Sequence, residues 1–182
     1  DGRPREKKFR ADMQSELIPF PTVIADTFTS DGTADIRSIF GLELFDFSKP
    51  VPLIKKLLVQ GTESDSLILD FFGGACSTAH AVLDLNREDG GNRRFIMIQL
   101  PEKTDENSEA FKTGYRTIAD IGKERIRRVI AKMKKDREEK LPLTEKPDLG
   151  FKVFKLRPSN FRVWRSDIRT PEQLTTQLEM SL

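Results

Sequence analysis

One feature of this sequence could form a ligand-binding site, a pair of glycines that follows a short apolar run. Residues 66–70 predict a strand, and residues 71–78 follow it with Gly73 and Gly74 at their centre. Glycine lets the backbone pass close to a ligand with no side chain in the way. The first amides of the next helix would favour an anionic group at the same place.

Two nucleotide-binding motifs are excluded at this turn. A P-loop needs a lysine after its spacer, and none follows Gly74 in that position. The dinucleotide motif Gly-x-Gly-x-x-Gly fails on its glycine spacing, which argues against a nicotinamide-dependent enzyme. The residues alone leave two interpretations, ligand binding or a plain tight turn. Thr78 could cap the following helix or offer its hydroxyl to the ligand.

The elements that position this turn alternate between strands and helices. That order implies parallel strands joined by a crossover, with ligands beyond the carboxyl ends of the strands. The next strand ends at Gln99, where nucleotide-like ligands are usually held through ribose hydroxyls. The predicted helices cover residues 50–59, 78–85 and 118–140 and a tail from Pro171, and the predicted strands cover residues 66–70, 95–98 and 151–156, with a short one at 162–164. The apolar face of the helix at 50–59 is predicted to be Leu53, Ile54, Leu57 and Leu58.

Residues 1–44 predict an irregular arm. They contain a turn-forming stretch at 30–33 and a short helix over 34–40 that Gly41 ends. The sequence has no initiator methionine, so we expect it to begin inside a longer polypeptide.

Composition excludes several classes of protein. With 37% hydrophobic and 33% charged residues among 182, the chain is typical of a globular domain. It has no apolar run that could span a bilayer and no secretory signal. Its single cysteine fits a cytoplasmic location. His80 is the only histidine and lies within a predicted helix, so packing is its predicted role, and no catalytic or metal-binding residue is assigned.

The net charge of +2 does not by itself indicate a nucleic-acid partner. Basic residues are concentrated at 3–10 and 123–140, which leaves two interpretations, a solvated surface or a contact with DNA.

The order of two segments resembles a known family. Residues 45–58, with Lys49-Pro50, resemble motif X of the beta group of DNA amino-methyltransferases, and residues 67–82 resemble its FxGxG-type motif I. Residues 85–102, 114–126 and 148–156 resemble the modification (Mod) subunit of type III restriction–modification systems. The resemblance implies an α/β, Rossmann-like methyltransferase fold, present in part, with about three parallel strands and flanking helices. It implies an arm at 1–44, a cofactor-binding half at 45–158 and a C-terminal extension at 159–182.

The resemblance also implies residues that bind S-adenosyl-L-methionine. Asp70 would brace the cofactor loop, Lys49 and Pro50 would cover the methionine part, and Gln99 would meet the ribose. Leu100 and Pro101 would border the adenine. The full set is Phe47, Lys49, Pro50, Asp70, Phe71, Phe72, Gly73, Gly74, Thr78, Gln99, Leu100 and Pro101.

This chain departs from the family at Cys76, where the family usually has the second glycine of Gly-Ser-Gly. If the position needs a positive φ, a side chain there is costly and cofactor binding is weakened. If Cys76 adopts an ordinary conformation, the cofactor still fits.

The Asp-Pro-Pro-Tyr motif of adenine-N6 methylation does not occur in the sequence, and in this group it would lie upstream. The resemblance implies a parent that methylates specific sites in double-stranded DNA, forms a Mod homodimer and partners a restriction (Res) subunit. The alternative is a non-catalytic DNA- or subunit-binding module with a degenerate cofactor site. The strand at 66–70 would lack a neighbour on one edge, so we expect self-association or coverage by the N-terminal arm.

Overall fold

The computed structural model describes residues 20–138, 149–157 and 167–179. The chain divides into two compact units, Asp1–Leu149 and Gly150–Leu182. The first unit contains, in chain order, α1 (Thr29–Phe40), α2 (Val51–Gly61), β1 (Leu67–Asp70), α3 (Ser77–Asp89), β2 (Arg94–Met97), α4 (Glu109–Lys112) and α5 (Ile118–Glu138). The second contains α6 (Pro171–Glu179), where the sequence predicts a helix.

The two strands form a small parallel sheet, with Leu67 opposite Arg94 and Asp70 opposite Met97. Two parallel neighbours need a crossover, and α3 supplies it. Just beyond the strand ends, the amide of Ile98 donates to the carbonyl oxygen of Asp70 at 2.8 Å. The mixed order of helices and strands and the parallel pairing are those of an α/β domain, as predicted.

The core packs α2 and α3 against one face of the sheet. Its buried cluster comprises Val51, Leu58, Ile68, Ala81, Val82 and Leu85. The long helix α5 buries one stripe, as its periodicity predicts, through Ile121, Ile126, Val129, Ile130 and Met133. A second cluster joins α1 to α5 through Ile36, Leu44, Ala75, Ala110 and Ile121. None of the helices in the described parts of the chain is long and apolar enough to cross a membrane.

The helix α1 is longer than predicted. Residues 30–33 form its first turn and not a separate turn, because Asp31 accepts a hydrogen bond from the amide of Phe28 at 2.8 Å. Gly41 ends the helix, as predicted, in the left-handed conformation with φ of +78°. Capping groups therefore override the weak helical propensity of the stretch before residue 34.

The apolar face of α2 also differs from the prediction. Leu57 is 51% exposed, whereas Val51 is buried. The face of α2 that packs against α3 and β1 is therefore formed by Val51, Ile54 and Leu58.

The strand predicted at 151–156 is wrong. Residues 151–157 have no regular secondary structure, and the sheet of the described residues has two strands and not three. Phe154 and Leu156 are 83% and 95% exposed, so the alternating pattern buries no face here. Alternation creates a strand only where a neighbouring strand supplies hydrogen bonds. The strand predicted at 162–164 lies outside the described residues.

The second face of the sheet is open within the described structure. Leu67, Leu69 and Ile96 lie on that face and are about half exposed. Residues 1–19 of the arm lie outside the described residues, so self-association or coverage of the sheet stays a prediction.

A close approach between α1 and the segment before α2 gives a test of this packing. A Cβ on Gly32 would lie 1.7 Å from the carbonyl oxygen of Ser48, whereas a Cβ on Gly61 would meet nothing within 4 Å. We expect Gly32→Ala to lower the free energy of unfolding by about 2 kcal/mol or more, because backbone must move. Gly61→Ala should change it by at most about 1 kcal/mol, toward stability. Urea unfolding measures both, and equal effects would contradict the packing described.

Candidate functional site

The glycine loop, residues 71–76, joins the carboxyl end of β1 to the start of α3, and Asp70 braces both of its ends. One carboxylate oxygen of Asp70 accepts from the amide of Phe72 at 3.0 Å. The other accepts from the hydroxyl of Thr78 at 2.7 Å. Thr78 does not cap α3, because Cys76 occupies the N-cap position. Asp70 therefore holds the loop through hydrogen bonds on both sides, and its contact with a cofactor stays a prediction.

The glycine amides are held from the end of β2. The amide of Gly73 donates to the carbonyl oxygen of Ile98 at 2.9 Å, and that of Gly74 to Oε1 of Gln99 at 2.7 Å. A Cβ on Gly73 would lie 3.3 Å from the terminal methyl of Met97, so glycine permits this close approach. Gly74 has a φ of +50°, which favours glycine. The loop therefore lies tightly against the second strand.

Cys76 adopts the left-handed conformation, with φ of 57° and ψ of 41°. The second of the two conformations considered for Cys76, an ordinary one, is therefore excluded, and the side chain occupies a backbone conformation that favours glycine. Its thiol is buried, and a Cβ on Gly122 of α5 would lie 2.6 Å from its Sγ, so the thiol packs against α5. Burial raises the pKa of the Cys76 thiol to about 11, which keeps it protonated and unreactive at neutral pH.

The segment before α2 reaches the loop through Ser48. Its buried hydroxyl lies 3.0 Å from that of Ser77 at the start of α3. Phe47 and Lys49 flank Ser48 and are exposed, and Phe47 has a positive φ of 59°. Pro50 is buried and forms the N-cap of α2. The structure thus brings the predicted motif X residues next to the predicted motif I residues.

The remaining predicted residues surround the loop on the solvent side. Phe71 and Phe72 are 61% and 89% exposed, and Leu100 is 69% exposed. Pro101 is also exposed, and Nε2 of Gln99 donates to the carbonyl oxygen of Leu100 at 3.2 Å. The predicted residues therefore lie on the loop, at the strand ends or next to Ser48. Their contact with a cofactor stays a prediction.

Arg125 is a part of this site that the sequence did not reveal. Its guanidinium is fully buried and donates to Ser77 Oγ at 2.8 Å and Ser48 Oγ at 3.0 Å. It also lies 3.5 Å from the carbonyl oxygen of Ala75. Burial lowers the pKa of Arg125 to about 10, so it remains charged at neutral pH. Its spacing of four residues from buried Ile121 and Val129 was the available signal.

His80 packs in the interior of this site, as predicted. Its Nδ1 lies 3.4 Å from the guanidinium of Arg125, and its Nε2 lies 3.4 Å from a carboxylate oxygen of Asp84. Burial first, and then the charge of Arg125, lower the pKa of His80 to about 3. The imidazole is therefore neutral at neutral pH, and no group of potential metal ligands occurs among the described residues.

A cavity of about 500 Å³ lies between α2 and α3, and His80 is part of its lining. Among its polar lining residues, Lys55 pairs with Glu88, and Asp35 accepts a hydrogen bond from the amide of Val51. It includes none of the predicted cofactor residues, so the glycine loop remains the candidate site.

Comparison with known proteins places the site in context. Residues 6–138 match the sequence profile of a family described as DNA methylase. The chain is 42% identical over 125 residues to the type III restriction-modification enzyme StyLTI Mod subunit of Salmonella typhimurium, covering 69% of this chain and 18% of that protein. It is 46% identical over 104 residues to the EcoPI Mod subunit of Escherichia phage P1, covering 57% and 16%. The aligned segment thus spans about a fifth of these relatives.

The strain at Cys76 can be measured by comparing two substitutions. Cys76→Gly and Cys76→Ala both remove the buried thiol, but only glycine relieves the left-handed backbone. We expect the glycine variant to be more stable than the alanine variant by about 1 kcal/mol. At exposed Ala131 in α5, Ala131→Gly should instead cost about 1 kcal/mol. Thermal and urea unfolding give both differences, and an alanine variant that matches the glycine variant would refute the strain.

The neutral His80 predicts a stability that depends on pH. Its folded pKa of about 3 lies below the ordinary 6.5, so the unfolded chain binds a proton that the folded chain does not. Stability should therefore fall as pH drops below 6.5, by about 1.4 kcal/mol per pH unit from this group. His80→Gln keeps an acceptor for Arg125 and does not titrate. We expect wild type to lose about 2 kcal/mol more than the variant between pH 7 and pH 5, and parallel curves would contradict this.

Proposed function

The chain belongs to the DNA methylase family, whose sequence profile matches residues 6–138, and we propose that it forms the part of an adenine-N6 DNA methyltransferase that binds S-adenosyl-L-methionine. The glycine loop is the observation that carries this proposal. Its amides are fixed by Ile98 and Gln99, and its ends are fixed by Asp70. A loop held so closely presents its backbone and the start of α3 to a ligand in one arrangement. The proposed fold is the corresponding part of a Rossmann-like methyltransferase sheet.

The residues around the loop fit such a ligand. Gly74 adds no side chain, and the Cys76 thiol faces α5, so neither fills the outer side of the loop. Exposed Phe47 and Phe72 offer aromatic surface, and exposed Lys49 offers a cation. We propose that these groups meet the adenosine and methionine parts of the cofactor, which supplies the methyl group when bound.

Gln99 has a divided role in this proposal. Its Oε1 is occupied by the amide of Gly74 at 2.7 Å. Its Nε2 makes only a 3.2 Å contact with the carbonyl oxygen of Leu100. We propose that Nε2 donates to a ribose hydroxyl, while Oε1 holds the loop. Leu100 and Pro101 then border the adenine ring.

The names of the similar proteins suggest an activity for the whole protein to which this chain belongs. The two relatives described above are Mod subunits of type III restriction–modification enzymes. We propose that the parent is such a Mod subunit, that it methylates adenine at specific sites in double-stranded DNA in the cytoplasm, and that it acts as a dimer with a Res subunit. The sequence contains no Asp-Pro-Pro-Tyr, so we assign none of its residues to holding the target adenine.

A second candidate function rests on the end of α5. Earlier basic residues on this helix are paired, such as Lys123 with Asp120 and Arg128 with Glu124. Exposed Lys132 and Lys134 form no ion pair with any residue that the structure describes. A non-catalytic module could use them to contact DNA phosphates. Cofactor binding distinguishes this alternative from the first proposal.

Calorimetric titration of S-adenosylmethionine into the chain tests the proposed function. We expect saturable binding that Gly74→Asp abolishes, because an added carboxylate would occupy the ligand side of the loop. Gly90→Asp is the matched control, since Gly90 also has a positive φ, of 72°, but ends α3 at its far end. It should bind as wild type does.

The other outcomes separate the causes of failure. Equal loss in both variants would show a general effect of strain and not a site at the loop. If wild type does not bind but Cys76→Gly does, the cysteine is responsible. If neither binds, this chain does not carry the cofactor site.

A further inference from the structure

Arg125 is a buried charge without a direct ion pair among the described residues, and the carboxylates of Asp35 and Asp84 act on it only at longer range. Its residue is 0% exposed, and no carboxylate of the described residues forms an ion pair with it. Its Nε–H has no hydrogen-bond partner in the described structure. Burying a charge is costly unless it is paired and hydrogen-bonded. The direct hydrogen-bond partners of this interior charge are therefore neutral groups, and one of its N–H groups has no acceptor among the described residues.

The contacts of Arg125 join segments that are distant in sequence. One terminal nitrogen donates to both Ser48 Oγ and Ser77 Oγ, and the two hydroxyls lie 3.0 Å apart. The same nitrogen lies 3.5 Å from the carbonyl oxygen of Ala75 in the glycine loop. Ser48 immediately precedes Lys49 and Pro50, so the guanidinium fixes the segment before α2 against the start of α3.

We propose that Arg125 is a positioning residue that sets the binding of the carboxylate-bearing end of the methyl donor. It acts through Ser48 and Ser77 and adds a fixed positive charge beside the amides at the start of α3. That combination favours a carboxylate, which here is that of the methionine part. The inference rests on the proposed function and assigns one end of its ligand to this cluster.

Two ligands that differ at one end test the proposal. S-Adenosylmethionine has the amino-acid carboxylate, whereas 5′-methylthioadenosine keeps the adenosine and sulfur and lacks it. Ser48→Ala and Arg125→Lys should each weaken S-adenosylmethionine about tenfold, the effect of one hydrogen bond to a charged group. Both variants should bind 5′-methylthioadenosine within about twofold of wild type, because the adenosine end is untouched. Calorimetry measures the first ligand, and competition titration measures the second.

Matched controls exclude a merely structural effect. Ser38→Ala removes an exposed hydroxyl that bonds only the carbonyl oxygen of Asp35, and Arg93→Lys alters the other buried arginine, which pairs with Asp89. Both controls should bind both ligands as wild type does, whatever their melting temperatures.

Each result decides between the proposals. Equal losses for the two ligands would show that Arg125 and Ser48 only support the fold, and unchanged affinities would also overturn the inference. In both cases wild-type binding would leave the proposed function standing. If wild type binds neither ligand, the proposed function fails, and this inference fails with it.

Discussion

The corner of the structure around Arg125 depends on close approach between backbones. The guanidinium reaches the hydroxyls of Ser48 and Ser77 only because α1, α5 and the glycine loop come unusually near one another. Gly32 admits the carbonyl of Ser48, and Gly122 admits the thiol of Cys76, at positions where a Cβ would overlap them. A polar cluster in a low-dielectric interior requires such accurate placement, since a misplaced donor leaves the charge unsatisfied. This corner holds the segment before α2 against the end of the glycine loop and the start of α3.

Local patterns were enough to predict the order of elements near the loop. Apolar runs and glycine positions predicted β1, α3 and β2 within a few residues, because each signal comes from neighbours along the chain. The buried stripe of α5 also followed from its period. The same patterns placed the glycine pair and Gln99 at the strand ends, since parallel strands with a crossover bring those ends together, whereas the other candidate residues came from the family resemblance.

Long-range contacts could not be predicted in this way. Ser48 and Arg125 are 77 positions apart, and an arginine on a helix ordinarily faces solvent. The predictions for Leu57 and for the strand at 151–156 were wrong for the same reason. In both segments the apolar residues have a regular spacing, but they become buried only if another element of the fold packs against them. Gly32 is predicted from the sequence to lie in a turn at 30–33, whereas the reason for a glycine there is the carbonyl of Ser48 and not its own helix.

The cysteine that departs from the family pattern is accommodated by a second small residue. Cys76 adopts a positive φ, which costs free energy because its Cβ crowds the backbone in the left-handed conformation. Its thiol occupies space that exists only because residue 122 of α5 is glycine. Any effect on a ligand must therefore come through the backbone of the loop and not through bulk in the site. Because Ile98 and Gln99 hold Gly73 and Gly74 independently of Cys76, the glycine pair retains its own hydrogen bonds whichever residue occupies position 76.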